Sequence, residues 1–179
     1  MPASRAPAPI SLKDVVTTFC APIQEEHAWA LIYLGLKKML DVSQEKMVEK
    51  CYLVKSLEDL VISPDGTIHE DSFVKKNDSR ERVEMTNLGV GVADLAVVVY
   101  DALEWELGFE RQLNQDLEDL ISRIISVDDP EEQDEGIEIC EDEIAFALCK
   151  DVFKSCKKHF SSVRTDHANL FVVFIVPYV

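Results

Sequence analysis

Two cysteines and a histidine in the last third of the chain are spaced to share one face of a helix. Cys149, Cys156 and His159 stand at positions i, i+7 and i+10, and thiolate and imidazole groups are common zinc ligands. A structural zinc site also needs a fourth ligand and usually a tighter pair such as Cys-x-x-Cys. The wider spacing favours two small buried cysteines and a histidine near a helix end.

An acidic stretch just before these residues partly follows the pattern of a calcium-binding loop. Glu131, Gln133 and Glu135 would occupy loop positions 1, 3 and 5, with Gly136 at position 6 and Asp142 at position 12. A calcium loop of this kind opens on Asp and closes on a bidentate Glu. Because neither end of the stretch matches, we predict no metal site.

Residues suited to acid–base or phosphate chemistry are present but isolated. His27 follows Glu26 and could act as a base, although a surface histidine in the first turn of a helix is more ordinary. Gly89-x-Gly91 lacks the third glycine and the lysine of phosphate-binding loops, so we interpret it as a helix entry turn. The sequence contains no Gly-x-Ser-x-Gly and no His-Glu-x-x-His run. We therefore predict no catalytic residue and no cofactor.

Charge is the strongest compositional signal in this chain, whose 179 residues are typical of one domain. Its 34 acidic residues exceed the 18 basic ones and leave a formal net charge of −16. Residues 128–143, here called the acidic segment, contain ten Asp or Glu and no Lys or Arg. Such charge disfavours nucleic acid and anionic membranes and attracts basic partners. By composition alone, however, the acidic segment is most typical of a solvated loop.

Compartment signals are weak but agree with one another. The five cysteines are odd in number and not closely paired, which argues against a disulfide framework. Residues 1–10 are rich in Pro and Ala, which predicts a disordered lead-in without the apolar stretch of a secretory signal. Residues 170–176 are apolar but far shorter than the roughly twenty residues that span a bilayer. We expect a cytoplasmic protein with no inserted membrane segment.

Local signals predict a mainly helical chain. Ser11 is a typical N-cap with Asp14 three residues later, which predicts a helix through Phe19. Pro22 then begins a helix that should end near Leu40. Further helices are predicted over residues 94–107, 113–125 and 144–159. The first of these three is apolar nearly all round, which predicts that it lies at the centre of the fold.

Two stretches between these helices carry other signals. Residues 63–67 read Ser-Pro-Asp-Gly-Thr, in which Pro presets φ and Gly supplies a positive φ, so they predict a turn. A small hairpin is therefore expected near residues 60–72. Residues 75–84 are charged or polar except Val83, which predicts an exposed, mobile loop. The helix at 113–125 should bury one face, formed by Leu113, Leu117, Leu120, Ile121, Ile124 and Ile125.

One run of residues resembles a known domain. Pro22–Leu31, which reads PIQEEHAWAL, resembles the opening of a KIND domain, and in particular the KIND domains of the Spire actin-nucleator family. The resemblance continues through residues 99–107 and 113–121 and covers about residues 11–160. Because KIND domains resemble the C-terminal lobe of a protein kinase, it implies a mainly α, kinase C-lobe-like domain with a small β-hairpin. Residues 161–179 depart from it and form an atypical apolar tail.

The comparison with kinases also implies which chemistry is absent. If residues 60–62 form the strand after a catalytic loop, Val54 stands at the position of the catalytic base and Asp59 at that of the metal-binding Asn. Ser72 then stands at the position of the main metal-binding Asp. Since neither Val54 nor Ser72 carries a carboxylate, the resemblance implies that the protein is not an enzyme. It further implies that Asp94 caps the start of the central helix.

The resemblance implies a binding function instead. A Spire-type KIND domain binds the basic C-terminal tail of a formin, and it acts on actin only indirectly, through regions outside this chain. It would thus work at the cytoskeleton and, through those regions, at vesicle membranes. Two alternatives stay open: a degenerate kinase lobe that binds nucleotide, and an autoinhibitory module that binds a basic segment of its own protein. The candidate binding residues are Glu25, Glu26, Tyr100, Glu104, Trp105, Glu106, Asp134, Glu135, Glu138, Glu141 and Asp142.

Overall fold

The computed structural model describes residues 8–46, 51–74, 82–109, 111–126 and 141–163. Within these residues, the predicted mainly α fold with a small sheet is confirmed. The elements, in chain order, are β1 (Ile10–Ser11), α1 (Leu12–Phe19), α2 (Glu25–Lys46), β2 (Val61–Ile62), α3 (Leu88–Leu103), α4 (Gln115–Ser126) and α5 (Glu141–Val163). None of the helices in the described part of the chain is long and apolar enough to cross a bilayer.

Helix α1 forms as its first residues predict. The hydroxyl of Ser11 accepts a hydrogen bond from the Asp14 backbone N–H at 3.1 Å, and the Asp14 carboxylate accepts one from the Ser11 N–H at 3.2 Å. This reciprocal capping box satisfies backbone donors that the first helical turn leaves unpaired. The helix ends at Phe19, its C-cap Cys20 has a left-handed φ of 50°, and it buries Leu12 and Val16 in the core.

Helix α3 is the centre of the fold, as its apolar character predicts. It packs against α2, α4 and α5, and nine of its sixteen residues are buried. The predicted bounds of 94–107 are wrong at both ends, because the helix begins at Leu88 and ends at Leu103. Asn87 is its N-cap, with a side chain that accepts a hydrogen bond from the Val90 N–H at 2.9 Å.

The paired glycines therefore lie inside the first turns of α3 rather than in an entry turn. At Gly91 a Cβ atom would lie 2.9 Å from the Met39 sulfur and 2.8 Å from the Met85 methyl group. Since real Cβ atoms do not approach neighbours so closely, Gly91 allows α3 to pack tightly against α2 and against the segment that precedes α3.

The other predicted helices exist but differ in length. Helix α2 begins at Glu25, three residues after Pro22, and continues to Lys46 instead of ending near Leu40. Helix α4 begins at Gln115, after the predicted first residue Leu113, and buries most of its predicted face, but Ile125 is 39% exposed. Helix α5 spans Glu141–Val163, longer at both ends than predicted.

The small sheet pairs segments that lie far apart in the chain. Strand β2 runs antiparallel to β1, with Ile10 opposite Ile62. The predicted turn is present, with a Gly66 φ of 83°, and the Ser63 N–H donates to the Thr67 carbonyl at 2.8 Å. Across that turn the described residues form only one isolated bridge, from Ile62 to Ile68. The expected hairpin is therefore present but short, because the His69 N–H also donates to the Val61 carbonyl across the turn at 2.9 Å, while β2 pairs as a strand with β1.

Candidate partner-binding surface

The residues at kinase-like catalytic positions play structural roles here. Val54 is buried in the core. The Asp59 carboxylate accepts hydrogen bonds from the backbone N–H groups of Lys55 and Ser56, at 3.1 and 3.0 Å, which closes the loop locally. The buried Ser72 hydroxyl accepts from the Val61 N–H at 2.9 Å and donates to the Val61 carbonyl at 3.2 Å. Ser72 therefore joins its segment to β2.

Arg82 fills the space between these segments. Its side chain is only 7% exposed, so the prediction of an exposed loop over residues 75–84 is wrong at this residue; residues 75–81 lie outside the described part. The guanidinium donates to the carbonyls of Asp71 at 2.9 Å and Leu53 at 3.1 Å. Its Nε atom lies 3.7 Å from Asp59 Oδ1. A fixed positive charge therefore stands beside the position that would correspond to a kinase's metal-binding Asn.

Asp94 does not cap the central helix, contrary to the expectation from the resemblance. It is the seventh residue of α3, and its two carboxylate oxygens lie 2.8 and 2.7 Å from Lys55 Nζ. The Asp94 side chain is 18% exposed and that of Lys55 is 48% exposed. Asp94 thus links α3 to the loop that follows Val54, while Asn87 provides the cap.

Several predicted binding residues meet where α2 begins and α3 ends. Both carboxylate oxygens of Glu25 accept a hydrogen bond from the Asn114 N–H, at 3.2 and 3.3 Å. The Glu104 carboxylate accepts from the Tyr100 hydroxyl at 2.9 Å and from the Arg111 N–H at 3.4 Å. We call this region, formed by residues 23–26, 100–109 and 111–114, the α2–α3 corner.

The corner is braced by the chain that leads into α4. Arg111 donates to the Ile23 carbonyl at 2.9 Å, and the Ile23 N–H donates to the Ala102 carbonyl at 3.0 Å. The carboxylates of Glu25 and Glu104 therefore already accept hydrogen bonds from backbone N–H groups. Of the two glutamates in the first turn of α2, Glu26 is the exposed one.

Trp105 and Glu106 lie beyond the end of α3, not on it as predicted. Trp105 is half-buried, with Lys13 Nζ 3.7 Å from the centre of its ring. Its indole N–H is buried and has no hydrogen-bond partner among the described residues. Glu106 is exposed and has a left-handed φ of 53°. The turn that ends α3 thus presents a carboxylate beside a partly covered aromatic ring.

Sequence reasoning missed two residues of this corner. Phe109 is 70% exposed, the most exposed of the large apolar side chains in the described chain. Asp101 is exposed on α3, and its pKa is raised by partial burial and by the nearby Glu104 carboxylate. The sequence signal for Phe109 was the Gly108 before it, since glycine often marks a surface turn.

The remaining candidates belong to the acidic segment. Asp134, Glu135 and Glu138 lie outside the described residues, and so do the side chains of Glu141 and Asp142. The backbone of Glu141 begins α5. Among the candidates, the structure therefore joins Tyr100 to Glu104 and Glu25 to the Asn114 backbone at the corner, and the role of the acidic segment stays a prediction.

Comparison with known proteins now gives the family. The profile of the kinase non-catalytic C-lobe domain, or KIND, matches residues 10–171. The chain belongs to the KIND family. Protein spire homolog 1 of Danio rerio is 26% identical to it over 140 residues, which make up 75% of this chain and 18% of that protein. The chain thus spans less than a fifth of the length of this relative, and the resemblance to Spire KIND domains that the sequence indicated is confirmed.

Cys149, Cys156 and His159, which share a helix face, pack against the core of this KIND domain. Cys149 and Cys156 are buried, and burial raises their pKa values to about 11 and about 12. His159 instead stacks on Trp29 with ring centres 4.4 Å apart. Among the described residues, no three His, Cys, Asp or Glu side chains are grouped so that they could hold a metal ion. The thiols therefore act as small core side chains.

A cleft beside this stack is lined by both signs of charge. It holds about 390 Å³ and includes Asp116, Arg123 and Lys158. Partial burial lowers the pKa of His159, while the carboxylates of Glu26, Asp116 and Glu25 oppose that shift. Because the charges largely offset one another, this cleft is a weaker candidate for a highly basic ligand than the α2–α3 corner.

Proposed function

We propose that this KIND domain is the interaction domain of a Spire-like actin nucleation factor and binds the basic C-terminal tail of a formin. The supporting observation is the α2–α3 corner, which carries the exposed carboxylates of Glu26, Asp101 and Glu106 together with half-buried Tyr100 and Trp105. A cationic peptide with apolar residues suits such a surface. Actin would be engaged indirectly, through other regions, in the cytoplasm and at the cytoskeleton.

The charged and the aromatic residues of the corner would have different roles in binding. Exposed charges mainly accelerate encounter and set register, whereas buried rings hold a ligand in place. Glu26 and Glu106 are exposed and are therefore the carboxylates that would meet the basic side chains of the tail. Tyr100, Trp105 and the exposed Phe109 would supply the apolar contact. The acidic segment, including Asp134, Glu135, Glu138, Glu141 and Asp142, would add a second cluster of negative charge.

The test is calorimetric titration of the domain with a basic formin tail peptide. Affinity should fall steeply from low to moderate salt, because exposed charges are screened over about 8 Å at physiological ionic strength. The double variant Glu26→Lys and Glu106→Lys should weaken binding by about tenfold or more, a loss of about 1.4 kcal/mol. Changing Glu138, Glu141 and Asp142 to Lys tests the acidic segment in the same way.

A matched control separates a local site from total charge. Asp41 and Glu84 are exposed and lie outside the corner. Reversal of both to Lys changes the net charge as much as the corner variant does but should leave the affinity near that of the unmodified domain. Equal losses in the two pairs, or binding that is insensitive to salt, would contradict a site at the corner.

We propose in addition that the domain transfers no phosphoryl group. Its family is a non-catalytic one. The support from geometry is that buried Val54 and Ser72 occupy the carboxylate positions, while the Arg82 guanidinium lies beside Asp59. Phosphoryl transfer depends on bound metal ions and a positioned base, and these side chains supply neither.

A further inference from the structure

A second charged surface has the opposite sign to the molecule as a whole. A cleft of about 580 Å³ lies between α2 and α5. Its lining consists only of lysines and aromatic rings, although acidic residues outnumber basic ones by 34 to 18 in the chain. We call this cleft the basic groove, formed by Tyr33, Lys37, Lys150, Phe153, Lys154 and Lys157.

The basic groove concentrates charge that the described residues leave uncompensated. Lys150, Lys154 and Lys157 follow one stripe of α5 for about 10 Å, at i, i+4 and i+7. Lys37 adds a fourth ammonium group from α2. All four side chains are exposed, and none forms an ion pair with another described residue. Like charges at this spacing repel one another, so binding of an anionic ligand would reduce the electrostatic repulsion among these lysines.

The walls of the groove are apolar and ordered by ring contacts. Tyr33 and Phe153 meet edge to face, with centres 5.4 Å apart. Lys150 Nζ lies 4.6 Å from the centre of the Phe146 ring, and Phe146 is 53% exposed. A ligand that combines carboxylates with a few apolar residues would therefore match both the charge and the walls.

We propose that the basic groove binds residues 128–140 of the acidic segment of the same chain. These residues contain seven Asp or Glu and no Lys or Arg, with Ile137 and Ile139 among them. They supply the combination of carboxylates and apolar side chains that the groove suits. The covalent connection also gives them a high effective concentration at the groove, which no separate acidic protein has.

The described ends of the connection allow this docking. Arg123 Nη2 lies 3.1 Å from Ser155 Oγ, and both residues line the cleft that contains Lys158. The connection therefore leaves α4 on the Lys158 side of α5 and must cross α5 to reach Lys150 and Lys154. From Ser155 back to Glu141, α5 rises by about 21 Å. The intervening residues 127–140 can extend to about 46–50 Å. The connection therefore has more than enough length to cross the solvent-facing stripe of α5 that holds Lys150 and Lys154.

Docking of the acidic segment in the basic groove would reduce binding of the formin tail. This regulatory effect rests on the proposed function, whereas the docking itself does not. The groove lysines and a basic formin tail would compete for the same carboxylates. Removal of the lysines should then raise the affinity for the tail by more than the change in net charge alone explains. An anionic membrane is a poorer occupant of the groove, because the net charge of −16 opposes its approach.

The direct test requires no partner. The full chain, dilute and at low salt, is treated with a carbodiimide, which joins lysines to carboxylates in contact, and the products are read by peptide mass spectrometry. Intramolecular links from residues 128–138 should concentrate on Lys150, Lys154 and Lys157 and disappear at high salt. Lys158, on the same helix but lining the other cleft together with Arg123 and Ser155, is the matched control. Because the end of α4 lies beside that cleft, the comparison uses only links from residues 131–138, and these should reach Lys158 rarely.

Two results would overturn the docking proposal. One is linkage to Lys158 as frequent as to the groove lysines, and the other is linkage found only in a cross-linked dimer, which would assign the groove to a second copy. Hydrogen exchange gives an independent reading: Lys154→Gln should increase amide exchange in residues 128–140, and Lys158→Gln should not. Calorimetry with the tail peptide then tests competition separately, so failed formin binding and failed docking are told apart.

Discussion

At the scale of single residues, the buried side chain of Arg82 connects several segments of the chain through hydrogen bonds. Its guanidinium donates to three backbone carbonyls, those of Leu53, Asp71 and Ser72, and lies beside the Asp59 carboxylate. The planar fork of arginine suits several acceptors at once, which a lysine ammonium cannot reproduce. The charge therefore holds together segments that would otherwise carry unpaired polar groups.

His27 gives a prediction for stability against pH. Its Nδ1 atom accepts a hydrogen bond from the Gln24 N–H at 3.2 Å, and burial lowers its pKa, with Glu26 opposing. Below about pH 6.5, the unfolded chain binds a proton that folded His27 resists, so its contribution to stability is lost as pH falls toward the folded pKa. The slope from this one group is at most about 1.4 kcal/mol per pH unit.

The measurement compares urea unfolding of the unmodified domain and of His27→Gln between about pH 7.5 and 5.5, the range that brackets the ordinary histidine pKa. The unmodified domain should lose more unfolding free energy on acidification than the variant does. His159, whose pKa is also lowered, is present in both and cancels in the difference. Parallel pH profiles would show that His27 does not titrate differently on folding.

At the scale of elements, the packing of α3 depends on the absence of a side chain. Gly91 lies where α3 meets Met39 of α2 and Met85. The tight approach explains why a glycine is tolerated inside the first turns of a helix that otherwise consists of strongly apolar residues. The earlier start of α3, at Leu88, follows from the Asn87 cap.

Gly91→Ala should change the stability of the fold by no more than about 1 kcal/mol in either direction, because the atoms that a Cβ would meet are the flexible ends of Met39 and Met85, and alanine favours a helix over glycine by about 1 kcal/mol. Gly108→Ala is the control, because no atom lies within 4 Å of a Cβ there, and it should change stability by no more than about 0.5 kcal/mol. Chemical unfolding of both variants checks this. A loss of more than about 2 kcal/mol in Gly91→Ala would show that the two methionine side chains cannot move aside.

At the scale of the whole molecule, charge is distributed unevenly. Carboxylates gather at the α2–α3 corner and in the acidic segment, whereas exposed lysines gather at the basic groove between α2 and α5. The net charge of −16 creates a field that favours cationic partners and opposes anionic ones. A nucleotide, which carries several negative charges, is therefore a ligand that the global field disfavours.

Mg-ATP should consequently leave the melting temperature unchanged, and incubation with labelled ATP and a generic substrate should give no transfer above buffer. The positions that the kinase resemblance assigns to the base and to the main metal ligand hold Val54 and Ser72, and Arg82 lies beside Asp59, so we expect no metal-dependent phosphate binding there. Magnesium without ATP and ATP without magnesium are the controls. Stabilisation that requires both would favour the nucleotide-binding alternative.

The sequence by itself determined the features that depend on neighbours within a few residues. Ser11 and Asp14 predicted the start of α1 because a capping box is completed within four residues. The spacing of Leu117, Leu120, Ile121 and Ile124 predicted the buried face of α4 for the same reason. The run from Pro22 to Leu31 was enough to indicate the KIND family.

Tertiary structure alone decided the features that join distant segments. Strand β2 took β1 as its main partner, since Ile10 and Ile62 meet only after the chain folds. Arg82 became buried because its acceptors lie on two other segments. The basic groove combines Lys37 of α2 with three lysines of α5, a grouping no local pattern contains. Local preferences act over a turn of chain, whereas these contacts depend on how the helices pack around α3.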